Sequence, residues 1–186
     1  MRLLGALAVL GCAASLAACA TGALPPPEAS LEGIQSIRSA NLPAMGVAAF
    51  TASPGMPGRT ITVRAGTMDA PGGKTFADYL QDTLAAQLKG AGRLDPAAGV
   101  VIGGVLDQSH VDSAMSGASA WLGATFTVRR DGREIYRKAL KVEDHWPGAF
   151  VGATAIPEAM NHYTQLYPKL VQALLDDPAF RTAVKG

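Results

Sequence analysis

Thiols are scarce in this chain. Its 186 residues hold two cysteines, Cys12 and Cys19, too few for a zinc cage or a disulfide framework. An excess of charge of one sign is also missing. Sixteen Lys and Arg against fifteen Asp and Glu leave a formal charge of +1, which excludes the broad basic face of a nucleic-acid binder. No repeat with a period of about 20–50 residues is present. Neither is a G-x-S-x-G elbow, so Ser113, Ser116 and Ser119 have no nucleophile context. With 21 Gly and 12 Pro, the chain falls short of low complexity. Hydrophobic residues at 48% and charged residues at 17% can build a packed core and argue against global disorder. The length suits one domain.

The N-terminus carries an address. Arg2 is the only charge before Glu28, and Leu3 to Leu16 is apolar, broken only by small residues. That is a short positive region and an h-region too short to span a membrane comfortably. It ends in Leu16-Ala17-Ala18-Cys19. This series resembles the bacterial lipobox, in which the Cys is diacylated on sulfur, becomes the mature N-terminus and is acylated again. Three chains give stable anchoring where one does not. The next residue is Ala20, not Asp, which resembles the default sorting pattern for the outer membrane. Cleavage before Cys19 removes Cys12. It also removes Arg2, which brings the 16 basic side chains to parity with the 15 acidic ones. The mature domain then has neither a free thiol nor a disulfide. An ordinary secretory signal with a chance Cys, or an N-terminal anchor helix, is the alternative.

Residues 1–18 are thus expected as a signal peptide. Residues 19–43 are expected as lipidated Cys19, a Pro25-Pro26-Pro27 tether in polyproline II and a short helix behind Ser30. Residues 44–186 are expected as one α+β domain. Val47 to Phe50 and Arg59 to Arg64 read as strands, and Gly66 to Lys74 as a loop. Thr75 with Asp78 approximates a capping box. Phe76, Tyr79, Leu80, Leu84 and Leu88 form a helical apolar stripe, and Gly90 stands at the expected C′ position. Val100 to Leu106 reads as a buried strand. Ser119 to Val128 and Arg133 to Val142 read as a hairpin. A three-residue loop with Gly132 in a bulge places Phe126 opposite Tyr136, and Leu122 opposite Leu140. Pro157 is expected in the first turn of the last long helix, and Pro168 is expected to kink or interrupt it. The predicted fold is two-layer α+β, a mostly antiparallel sheet with two main helices on one face.

Three constellations could carry chemistry. Gly72-Gly73-Lys74-Thr75 imitates a phosphate-binding loop between strand and helix, but Met68 stands where the motif needs its first Gly. Lys74 and Thr75 then read as a loop residue and an N-cap. Asp107, His110 and Asp112 could gather on a loop as a metal or hydrolase site, or stay as solvated side chains. Trp146 to Gly152 is apolar and turn-rich, with Trp121 and Tyr136 nearby in the hairpin. It reads either as a docking surface or as a loop folded over the core.

Arg59 to Gly66, Phe76 to Leu80, Ala91-Gly92-Arg93-Leu94-Asp95-Pro96, Trp146 and Ala155-Ile156-Pro157, together with the lipobox, resemble small uncharacterised proteobacterial lipoproteins. More loosely, the chain is similar to YajG-type lipoproteins and to auxiliary lipoproteins of envelope ABC transporters. The resemblance implies a non-catalytic accessory in envelope assembly or transport. It would face the periplasm from the outer membrane, held in the bilayer through acylated Cys19, with an envelope protein as partner and no nucleic acid. It transfers one functional position, Cys19, and no catalytic residue, cofactor or metal.

Overall fold

The computed structural model describes residues 21–186. The signal segment, Cys19 and Ala20 lie outside the described residues. The fold is α+β, as the alternation of strand and helix patterns predicts. Its frame is an antiparallel meander of three long strands, β6 (Val100–Ala114), β7 (Gly117–Arg130) and β8 (Arg133–Trp146). Two short strands, β2 (Gly46–Val47) and β3 (Thr51–Ala52), run parallel to β6 along its free edge. A second sheet holds β1 (Thr21–Ala23), β5 (Gly66–Asp69) and β4 (Thr60–Val63) in the order β1-β5-β4. Helices α2 (Phe76–Gly90) and α3 (Gly152–Asp176) pack against the large sheet, joined by α1 (Leu31–Ser39) and α4 (Pro178–Lys185).

The core forms where the apolar faces meet. Along β7 the even-numbered residues Ala118 to Val128 are all buried, while most odd ones reach solvent. That period of two marks a strand with one covered face. Tyr163, Leu166, Tyr167, Leu170, Val171 and Leu174 of α3 are fully buried. Phe50 leaves the line between β2 and β3 and turns inward, its amide bonded to Gln81 Oε1 at 3.1 Å. Its ring lies edge-on to Phe126 at 6.1 Å. Gly104 makes room for it, because a Cβ there would stand 2.6 Å from Phe50 Cε2.

Several local expectations hold. Thr75 Oγ1 accepts from the Asp78 amide at 3.1 Å, and Asp78 Oδ2 accepts from the Thr75 amide at 2.8 Å. That bond from the Thr75 backbone is the main reason the Asp78 carboxyl is held below its usual range. Others need correction. The left-handed residue closing α2 is Gly92 (φ 71°), not Gly90, which is the last helical residue. Arg93 and Gly92 amides bond back to the Leu88 and Lys89 carbonyls, a Schellman ending. Pro157 lies inside α3, which starts at Gly152, and Pro168 does not end that helix. Burial of the α3 stripe outweighs the loss of proline's single amide donor. Gly66 to Asp69, expected as loop, is a strand.

The hairpin register also differs from expectation. Asp131 (φ 49°) and Gly132 (φ 81°) form a two-residue turn that pairs Arg130 with Arg133. A register shift after Arg129 then leaves Ile135 unpaired. Val128 consequently faces Tyr136, Phe126 faces Lys138, and Leu122 faces Val142. The turn obeys its Asp-Gly chemistry, and the bulge returns the apolar residues of both arms to one face. The predicted three-residue loop solved the same conflict at the wrong place.

The N-terminal segment differs most from expectation. Thr21 to Ala23 pairs with Thr67 to Asp69, and Leu24 is buried with its amide on the Asp69 carbonyl at 2.9 Å. Pro25 to Pro27 line a cleft with Tyr79, Thr83, Thr164 and Pro168. From Thr21 onward the predicted tether is built into the domain.

Candidate functional site

Asp107, His110 and Asp112 lie on a strand, not a loop. The pairing of β6 with β7 shifts between Leu106 and Gln108, leaving Asp107 as a bulge. After the shift Ser109, Val111 and Ser113 turn toward the helices, and Gln108, His110 and Asp112 toward solvent. A strand rises about 3.3 Å per residue, so Asp107 and Asp112 stand roughly 16 Å apart along it. Asp107 Oδ2 is taken by Thr125 Oγ1 at 2.6 Å. Among the described residues, no three His, Cys, Asp or Glu side chains are grouped to hold a metal ion. Ser113 and Ser119 lie in β6 and β7, and Ser113 Oγ donates to the Ala155 carbonyl at 3.3 Å.

What the strands assemble instead is a row across the outer face. His110, Trp121 and Glu143 are cross-strand neighbours. The His110 ring stacks on Trp121 at 3.9 Å and 21°. Lys141 Nζ lies 5.3 Å from the centre of the same indole and 3.3 Å from Glu143 Oε2. This is a solvated aromatic and ionic platform, with geometry suited to cation–π contact. On the helix side, Trp146 stacks on His162 at 4.1 Å and 6°. Asp144 Oδ2 meets His162 Nδ1 and Lys169 Nζ, each at 3.1 Å. Partial burial pushes the Asp144 carboxyl upward, but the bonds from His162 and Lys169 outweigh it and hold it low. Deeper in, Tyr163 OH bridges Ser109 Oγ at 2.6 Å and Tyr167 OH at 3.0 Å. Burial pushes the Tyr163 phenol up to about 12, so it stays protonated as part of a buried hydroxyl chain.

The pseudo-phosphate loop is committed to structure. Lys74 Nζ pairs with Asp82 at 2.6 Å, a bond that raises its pKa, and Thr75 caps α2.

The end of the molecule where β6 turns into β7 is organised by a residue that sequence reasoning missed. Arg64 sits in the β4–β5 turn at φ 52°. Its guanidinium donates to the carbonyls of Ser113 at 2.5 Å, Ala149 at 2.7 Å and Phe150 at 3.4 Å. Three segments distant in sequence are thereby fastened together. No local pattern around Arg64 announces this role; the sequence places it at the end of a strand, whereas it lies in the turn. The Trp146 to Gly152 segment is folded over the core at one end only. Trp146 is buried against α3, whereas Phe150 and Val151 are exposed. Among the described residues no helix is long and apolar enough to cross a membrane.

No family model matches the chain, and no curated protein matches it. Solved structures do. A Xanthomonas campestris protein of the DUF330 family superimposes with a TM-score of 0.56 at 15% identity, covering 84% of this chain and 95% of that one. A Caulobacter crescentus protein provisionally described as a lipoprotein gives 0.48 at 12% identity, over 83% of this chain and 97% of that one. A minor lipoprotein of Acinetobacter baumannii gives 0.43 at 9% identity, over 73% and 90%. The Xanthomonas likeness shows a shared α+β fold over most of both chains.

Proposed function

We propose that this chain is an acylated lipoprotein of the cell envelope, anchored through Cys19 and acting as a non-catalytic accessory in envelope assembly or transport. The observation that carries it is the series of Arg2, an apolar run and Leu16-Ala17-Ala18-Cys19. Ala20 supports sorting to the outer membrane, with the domain facing the periplasm. Three of the candidate side chains make contacts within the fold that support this reading. Asp107 bonds Thr125, His110 stacks on Trp121, and Lys74 pairs with Asp82. The aromatic row on the outer sheet face supplies a surface for a protein partner.

Mass spectrometry of the membrane-extracted protein tests the anchor. The expected N-terminal peptide begins at an acylated Cys19, and Cys19→Ser shifts the protein to the soluble fraction. An unmodified chain that fractionates like Cys19→Ser refutes the reading. In a strain lacking the gene, His110→Ala and Lys74→Ala should restore the envelope phenotype and Cys19→Ser should not. A folded Lys74→Ala protein as defective as Cys19→Ser would revive a phosphate site.

A further inference from the structure

Apolar side chains gather at the end where the anchor enters. Among the described residues the exposed large hydrophobics are Leu31 on α1 and three others, Met115 (61%), Phe150 (81%) and Val151 (58%). Those three belong to one end of the molecule. Met115 lies in the turn between β6 and β7. Phe150 and Val151 lie in the loop leading from β8 into α3. The Arg64 guanidinium ties both segments together through Ser113, Ala149 and Phe150. The first described residue lies at the same end. Thr21 pairs with Thr67, next to the Val63–Gly66 turn that contains Arg64.

Covalent geometry then limits where lipid can be. Two extended residues span at most about 7 Å, so an acylated Cys19 cannot lie farther than that from Thr21. There is no room for a spacer, because Thr21 to Ala23 already pairs with β5 and the Leu24 amide bonds the Asp69 carbonyl. We infer that Met115, Phe150 and Val151 form a membrane-contacting tip that inserts into the bilayer carrying the Cys19 lipid. The inference rests on the lipoprotein reading above. A phenyl ring, a thioether and a branched aliphatic chain suit the boundary between headgroups and acyl chains, and burying their area there is favourable. An exposed apolar group of this kind, held to the scaffold by the Arg64 hydrogen bonds, marks an interaction surface. The occupant is lipid because the bilayer is the one surface the anchor brings within reach.

The mature protein makes the test simple. Once Cys19 is acylated it has no reactive thiol, so one introduced cysteine can be labelled with an environment-sensitive fluorophore. Met115→Cys and Phe150→Cys place the label at the tip. Lys185→Cys places it on α4, whose Ala183 and Val184 carbonyls bond Arg130 at the other end of β7. The lipidated full chain is reconstituted in phosphatidylcholine vesicles bearing a nitroxide quencher on the acyl chain. Labels at 115 and 150 should shift to the blue on reconstitution and be quenched, while the label at 185 stays water-like and unquenched. Adding Phe150→Asp and Val151→Asp to the Met115→Cys protein should return its emission toward the water-like value without releasing it from vesicles. An acylated protein that floats with vesicles while positions 115 and 150 remain water-like overturns the tip and leaves the anchor standing. A chain that neither floats nor carries acyl groups overturns the anchor itself, and the tip with it.

Discussion

Asp177 joins the end of α3 to the start of α4, and its replacement should separate two kinds of stabilisation. Its side chain is 6% exposed. Asp177 Oδ1 accepts from the Phe180 amide at 2.9 Å and caps α4, while Oδ2 pairs with Lys138 Nζ from β8. Burial works against the charge, but Lys138 and the Phe180 amide outweigh it, so the folded carboxyl titrates below its usual range. Asp177→Ala loses the cap, worth about 1 kcal/mol, and the ion pair, worth about 1 kcal/mol for a one-sided exposed partner. Lys138 is 48% exposed, so it returns to water and adds no orphaned charge. The total of about 2 kcal/mol corresponds to a Tm lower by about 4–8 °C in a chain of this size. Asp177→Asn keeps a capping oxygen and loses only the ion pair, so its Tm should fall by about half as much. Because the folded pKa is lowered, the advantage of Asp over Asn is fully present above the unfolded value near 3.9 and is lost as pH falls through the folded pKa. Urea unfolding followed by circular dichroism at pH 7 and at stepped acid pH measures both effects. Equal losses for Ala and Asn would refute the separation of cap from ion pair. A gap between wild type and Asn that stays constant into acid would refute the ion pair as its source.

Gly104→Val should cost about 2–3 kcal/mol through its clash with the Phe50 ring. Combined with Phe50→Ala the cost should be clearly less than the sum, as denaturant melts of the double-mutant cycle will show. Thr75→Ala should lower stability by about 1 kcal/mol and Thr75→Ser by much less, since serine keeps the capping oxygen. Arg64→Met should raise amide hydrogen exchange locally around Phe150 and Val151 while the core of β7 keeps its protection. Cross-strand backbone contacts by NMR should pair Val128 with Tyr136 and Phe126 with Lys138; a pairing of Phe126 with Arg137 would remove the bulge at Ile135.

The features legible in the sequence are those whose cause is local. The α2 helix announces itself through Thr75 and Asp78 and through a stripe from Phe76 to Leu88, all within one element. The α3 stripe is equally plain, but the burial of six side chains that lets the helix run through Pro168 is a tertiary effect. The hairpin shows how a correct requirement can have two solutions. Apolar residues on both arms had to share a face, but whether the extra residue sat in the turn or at Ile135 depended on pairing energies along the whole arm. Strand β5 escaped notice because four residues, Gly66 to Asp69, carry too little pattern, and they are held by pairing with β1 and β4. The three prolines lie outside any helix or strand. An extended chain can hang free or lie against helices, and composition does not distinguish the two.

Proximity along the chain misled for a geometric reason. Residues spaced as Asp107, His110 and Asp112 can meet in a loop, but a strand carries them apart at about 3.3 Å per residue. Residues that do meet, such as Arg64, Ser113 and Ala149, are far apart in sequence. The meander explains why. Because β7 and β8 are each 14 residues long, the turn after β6 and the loop after β8 return to the same end of the sheet. The pairing of β1 with β5 then delivers Thr21 to that end as well. A free tether would leave the orientation of a lipid-anchored domain arbitrary. On the lipoprotein reading proposed above, with Thr21 in a strand and Cys19 two residues away, orientation would become a property of the fold, and the outer sheet face with His110, Trp121 and Lys141 would stay open to a partner.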